Sequence, residues 1–186
     1  MVEFMSDPAA FAAGTTALGW LSRKPLRQPG SHGFYRFFAW EAILGLVVLN
    51  RRVWGEDPTS PHQMAASALM LLSVLLALAG LLTLRHLGKP GTQRGEGSFY
   101  EFEKTTRLVS RGIFGYIRHP MYTSLLALAW GGYLQDPSLA GAVIAGLASA
   151  FLWLTAKTDE RECLAYFGPP YADYMQRTKR FIPFLL

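Results

Sequence analysis

Two short stretches of this chain carry side chains that could do chemistry together. The first runs Gly112-Ile113-Phe114-Gly115-Tyr116-Ile117-Arg118-His119-Pro120-Met121-Tyr122; the second is Asp159-Glu160-Arg161-Glu162, followed by Phe167-Gly168-Pro169-Pro170-Tyr171. Proline suits the first turn of a helix, where its missing N–H costs nothing. Pro120 therefore predicts a helix with Arg118 and His119 at its amino terminus, where open N–H groups and the positive end of the dipole favour an anion. Arg118 can add a bidentate contact there, and His119 a hydrogen bond or a proton acceptor. The plainer alternative is an Arg118 that reaches lipid headgroups and a His119 that caps the helix.

At helical spacing Glu160 shares a stripe with Ala156, Leu164 and Phe167, so it faces packing rather than water. A carboxylate there needs a partner: Arg118, another basic side chain, or a ligand carrying hydroxyl or ammonium groups. Glu162 falls on another face and reads as a solvated helix charge. Glu41 is an acid inside a predicted membrane span, which marks a functional candidate, although pairing with Arg36, Arg85 or His86 would serve equally. Tyr171 and Tyr174 form a face able to shield a pocket.

The elements that must position these groups are membrane-like. The chain is 51% hydrophobic and only 17% charged, a balance that argues against a soluble domain. Met64 to Leu84 contains no charge at all and has the length that crosses a hydrocarbon core. Phe34 to Asn50, Met121 to Leu134 and Leu139 to Ala156 are the other predicted spans, the last two joined by Gln135-Asp136-Pro137-Ser138. The third is short, reaching about 21 Å at about 1.5 Å per residue, and so tilts little, thins the bilayer or stops part-way. Phe11 to Leu21 is expected as an interfacial or loosely packed helix. An amphipathic helix from about Lys157 is expected to break at Gly168-Pro169-Pro170 and resume from Tyr171 to about Lys179. The fold class is all-α: a polytopic membrane bundle of about four transmembrane helices, forming a single domain over 1–186.

Charge gives the orientation. Lys and Arg gather before the first span, between the second and third, and after the fourth, whereas only Arg51 and Arg52 lie in the first hairpin loop and none in the second. By the positive-inside rule both termini and the long loop 85–118 are cytoplasmic. Headgroup contact accounts for such charges, and no interleaved aromatic platform accompanies them, so nucleic acid is not an expected partner. Acidic Glu3 and Asp7 ahead of the apolar stretch, with the first basic residue only at Arg23, do not look like a secretory leader. Gly88-Lys89-Pro90-Gly91 and Gly95-Glu96-Gly97 are turn signals in the loop, and Phe99, Tyr100, Phe102, Leu108, Val109, Ile113 and Phe114 are apolar anchors that should fold it back on the helices. The single Cys163 has no thiol partner for a disulfide or zinc site and reads as a small buried residue.

Taken in order, Leu108-Val109-Ser110-Arg111-Gly112, Arg118-His119-Pro120-Met121-Tyr122, Asp159-Glu160, Phe167-Gly168, Tyr171, Tyr174 and Arg180-Phe181-Ile182-Pro183 resemble the signature of the isoprenylcysteine carboxyl methyltransferase and phospholipid methyltransferase superfamily of integral membrane enzymes. The resemblance covers roughly residues 85 to 186. It implies helices and loops that enclose S-adenosylmethionine on the cytoplasmic side and open laterally to a lipophilic or lipid-attached substrate. It further implies that His119 and Glu160 contact the cofactor, with Arg118 near its carboxylate, Asp159 beside it, Gly112 and Ile113 lending backbone to the adenosyl part, and Tyr122 helping to close the pocket. Arg118, His119 and Glu160 are the implied catalytic set. Two departures stand out: the family commonly carries two Glu where this chain has Asp159-Glu160, and an aromatic-Arg pair where it has Phe114-Gly115.

Methyl transfer from a sulfonium asks the protein mainly to position two reactants in a dry site. A carboxylate acceptor needs no base, whereas an amine or thiol must lose a proton; all three suit a site that opens to the bilayer. Two other readings compete. Membrane sterol reductases, which use NADPH, share an Arg-His-Pro segment but usually follow it with Asn and a Gly-acid pair, where this chain has Met121-Tyr122-Thr123-Ser124. A non-catalytic membrane scaffold is the other.

Overall fold

A computed structural model describes residues 8–89 and 105–185. Six α-helices follow in order: α1 (Pro8–Leu21), α2 (His32–Asn50), α3 (Pro61–Leu87), α4 (Pro120–Tyr133), α5 (Leu139–Phe167) and α6 (Pro169–Arg177), with short 3-10 turns at Pro25–Arg27 and Gly112–Gly115. Among the described residues there is no β-strand, only one parallel bridge between Ile117 and Lys179. Glu3, Asp7 and the loop features Pro90, Gly91, Gly95-Glu96-Gly97, Phe99, Tyr100 and Phe102 lie outside the described residues.

Helices α2, α3 and α5 are long and apolar enough to cross a membrane; α4, expected to be short, has 14 residues and is not among them. Only 17% of the most apolar part of α3 is buried. Leu71, Val74, Leu75, Leu78 and Leu82 stand exposed along it, a surface that hydrocarbon covers and water does not.

The longest helix contacts are α2 along α5 and α3 along α4. Small residues let the axes approach, as dispersion packing between membrane helices requires. Ala39, Ala145, Ala148 and Ala156 are fully buried on the α2–α5 side, around Leu46 and Leu152. On the α3–α4 side Gly131 does the same: a Cβ there would stand 3.2 Å from the Ala66 carbonyl oxygen and 3.1 Å from Met70 Cγ.

Two sequence expectations change. The amphipathic helix expected from about Lys157 is not a separate element, because nothing between Ala156 and Phe167 breaks the hydrogen-bond ladder, so α5 runs unbroken for 29 residues. It ends at Gly168, whose φ of 63° turns the chain into Pro169-Pro170 and the first turn of α6. Glu41 takes a partner not foreseen: its Oε2 accepts a hydrogen bond of 2.8 Å from Thr15 Oγ1, tying α1 to α2.

Replacing Gly131 with Leu should push α3 and α4 apart at a cost of about 1–3 kcal/mol. The same change at Gly146, where an added Cβ meets nothing within 4 Å, should cost nothing measurable. Thermal unfolding of both variants in detergent checks the contrast.

Candidate active site

The segment before α4 and the segment after α6 are zipped together. Arg118 N–H donates to the Lys179 carbonyl at 2.7 Å, His119 N–H to that of Arg180 at 3.1 Å, and Lys179 N–H to that of Tyr116 at 3.3 Å. Thr123 Oγ1 adds a bond of 3.1 Å to the Phe181 carbonyl. The two N–H groups expected to greet an anion are therefore occupied by the tail backbone. Pro120 does open α4 as expected, but the His119 side chain makes no capping bond; it turns inward.

Glu160 is the meeting point. Its Oε1 accepts from Arg118 Nε at 2.8 Å and from Arg180 Nε at 3.0 Å, and its Oε2 accepts from Arg180 Nη2 at 2.6 Å. His119 Nε2 lies 3.3 Å from the same Oε1. Arg118 Nη1 also donates to the Met175 carbonyl at 3.1 Å and to that of Thr178, satisfying carbonyls at the carboxyl-terminal end of α6, where a cation is favoured. The Glu160 side chain is 5% exposed and that of Arg118 9%. The carboxylate thus has the basic partner its stripe demanded, supplied by two arginines rather than one.

Asp159, one position earlier, points to a different neighbour set. Tyr122 O–H donates to its Oδ2 at 3.1 Å and the Cys163 thiol to its Oδ1 at 3.4 Å, while His119 Nδ1 stands 3.6 Å away. The His119 ring, stacked on Tyr122 with centroids 5.1 Å apart, so lies between the two acids. Together these groups edge a cleft that is partly open to solvent. Arg118, His119, Tyr122 and Asp159 line its polar side, and Leu84, Leu108, Val109, Phe114, Met121 and Phe167 its apolar side.

Tyr171 and Tyr174 close one wall, both 4% exposed. Tyr174 O–H donates to the Phe114 carbonyl at 2.7 Å and so fixes the 3-10 turn against α6. Burial pushes both phenols well above the ordinary tyrosine range, so each stays a neutral hydroxyl at any physiological pH.

The residues singled out in the sequence do not all line the cleft. Glu160, bound to the arginines, is not among its lining residues. Neither are Gly112 and Ile113, whereas their neighbour Phe114 is; Gly112 takes a φ of 62° beside Thr83. Nor is the wall confined to residues after 85, since His32 and Leu84 belong to it. Glu162 is not a free helix charge. Its Oε2 lies 2.6 Å from His32 Nδ1, and its Oε1 accepts from the His32 backbone N–H at 3.1 Å. His32 begins α2 after the Ser31 cap, whose Oγ accepts from Phe34 N–H, and it is fully buried. Sequence reasoning missed it, because its meaning comes from the pairing of α2 with α5. His32, Asp159 and Glu162 bring donor atoms within 4.8 Å of one another.

Fold and site together describe a cleft in a helical fold, three of whose helices are long and apolar enough to cross a membrane. The sequence model of the phospholipid methyltransferase family matches residues 62–168, more than half of the chain, and the chain belongs to that family. A methanethiol S-methyltransferase of Crocosphaera subtropica is 22% identical over 150 residues, covering 80% of this chain and 55% of that protein, so the chain spans about half the length of the relative. No solved structure matches. Arg118, His119, Tyr122, Asp159 and Glu160 all fall inside the family match; His32, Tyr171, Tyr174 and Arg180 fall outside it.

Removing the Glu160 charge leaves the buried Arg118 guanidinium and the partly exposed Arg180 guanidinium without their shared acid. Glu160→Ala should therefore destabilise the protein by about 3–5 kcal/mol, read as a lowered unfolding midpoint in detergent. An unchanged midpoint would mean that the arginines find water or another acid.

Proposed function

We propose that this chain is an S-adenosylmethionine-dependent methyltransferase of the membrane, acting on a lipophilic or small apolar nucleophile that reaches the cleft from the bilayer. The observation that carries this reading is the convergence of Arg118, His119, Tyr122 and Asp159, from the start of α4 and the far part of α5, on one cleft that Leu84, Leu108, Val109, Phe114, Met121 and Phe167 also line. S-adenosylmethionine supplies, when bound, a methyl group made electrophilic by a sulfonium.

The residues present fit such a molecule. Asp159 offers a carboxylate to ammonium or hydroxyl groups, Arg118 a cation to a carboxylate, and Phe114, Phe167 and Tyr171 apolar faces to a flat base. Glu160 acts as a positioning residue, holding Arg118 and His119 where they border the cleft. The apolar walls exclude water, which leaves orientation as the main task of the protein. The positive-inside pattern supports a site on the cytoplasmic face, with both termini on that side and residues 1–186 forming one domain. The name of the cyanobacterial relative adds a small thiol to the acceptor classes that fit.

Calorimetric titration of S-adenosylmethionine and, separately, NADPH into the purified chain in detergent tests the proposal. Saturable binding of the methyl donor alone is expected. His119→Ala should weaken it about tenfold or more, equivalent to about 1.4 kcal/mol, and Tyr122→Phe by about 1 kcal/mol for the lost hydrogen bond. Binding of NADPH instead, or of neither, would overturn the assignment.

A further inference from the structure

The mechanism above leaves one pair unused, the buried His32 and the part-exposed Glu162. His32 lies on the cleft wall, and Glu162 holds it from two sides, at the ring Nδ1 by 2.6 Å and at the backbone N–H by 3.1 Å. The carboxylate so placed does two things. It meets the open N–H of the first residue of α2, a site that favours negative charge, and it accepts the Nδ1 proton, which makes Nε2 the basic nitrogen of the ring. A base oriented by a third group, on the wall of a cleft for a small molecule, has the build of a proton acceptor in nucleophilic chemistry.

We infer that His32, oriented by Glu162, is the general base that takes the proton of a thiol acceptor, so that this enzyme methylates sulfur rather than a carboxylate. The inference rests on the methyl-transfer reading above. A carboxylate acceptor has no proton to lose at neutral pH and would leave the pair without a task. An ammonium, at about 10.4 like lysine, lies about four pH units above an ordinary histidine at about 6.5, whereas a thiol at about 8.5 lies about two above it. The thiol is thus the protic nucleophile that a histidine can ionise at modest cost. The step balances: the S–H bond breaks and its proton goes to His32 Nε2, the thiolate sulfur forms the new S–C bond, and the sulfonium C–S bond breaks with its electron pair remaining on the donor sulfur as a neutral thioether.

Charged and titratable neighbours bear on this proton. From α5, Asp159 and Glu162 approach the imidazole with donor atoms inside the same 4.8 Å cluster, and Cys163 follows on the cleft wall. Arg118, His119, Tyr171 and Tyr174 face the same space, and Arg36, also buried, lies one turn along α2. His32 precedes residue 62, where the family match begins, so a base from α2 can set acceptor choice while the matched segment keeps the rest of the site.

The test uses the full chain in detergent with S-adenosylmethionine and four acceptors: a short alkanethiol, the matching primary amine, the matching carboxylate, and an arenethiol already ionised at neutral pH. The alkanethiol should be methylated in preference to amine and carboxylate. His32→Asn should slow its methylation by about 100-fold or more at pH 7, leave donor affinity by calorimetry unchanged, and leave arenethiol turnover nearly intact, with the deficit narrowing above about pH 8.5 as the free thiol ionises. Glu162→Gln should give the same split, less steeply. Without the donor, the ultraviolet absorbance of thiolate should show bound alkanethiol ionising at lower pH than in solution, a measurement that needs no variant to fold. Equal loss with both thiols, methylation of amine or carboxylate alone, or an unshifted ionisation of the bound thiol would overturn the inference. Donor binding that persists through such a failure would leave the methyltransferase reading standing; absent donor binding in the unaltered chain would remove both.

Discussion

A carboxylate removed from water between two guanidinium groups is the constraint on which the rest of the site depends. Glu160 alone on an apolar stripe would be untenable, since isolated buried charge is among the costliest features a fold can carry. Arg118 and Arg180 come from opposite ends of the surrounding structure, one before α4 and one after α6. Their attraction to one acid therefore fixes where four segments meet: the entry to α4, the far part of α5, the end of α6 and the tail beyond it. Without that knot the backbone bonds between 116–119 and 179–181 would have little reason to select one register.

Three acids within four positions of α5 serve three different neighbours, and helix geometry explains why. Successive residues are rotated by about 100°, so Asp159 reaches Tyr122, Cys163 and the cleft, Glu160 the arginines, and Glu162 the start of α2. The division separates functions that would otherwise interfere. A carboxylate already neutralised by two cations is a poor ligand, whereas Asp159 lies on the cleft wall. The same unbroken helix carries the long apolar stretch, so the bilayer anchor and the three acids form a single rigid piece.

Much of this was legible in sequence. Four apolar stretches gave the positions of α2 to α5, the missing charges of Met64 to Leu84 marked the most lipid-exposed helix, and Pro120 marked the start of α4. The stripe argument placed Glu160 in packing and named Arg118 as a partner, and the two lie 2.8 Å apart. What could not be read was which of several basic residues would join them: Arg180 is one of five Lys and Arg beyond the fourth apolar stretch, and only the backbone zipper selects it. Glu162 was misread because its face looks polar on α5 alone; its partner lies at the start of α2, and pairwise helix packing is not encoded in either segment. Likewise the continuity of α5 past Ala156 was obscured by the drop in hydropathy at Lys157, which marks the end of an apolar stretch but not the end of a helix.

The second contact made by Arg180 carries this further. Its guanidinium sits 4.3 Å from the centre of the Trp153 ring, and Trp153 is 42% exposed on the outer side of α5. One cation is thus shared between an interior acid and an indole at the periphery. The tail beyond α6 is thereby tied to two faces of α5 at once, the inner one through Glu160 and the outer one through Trp153.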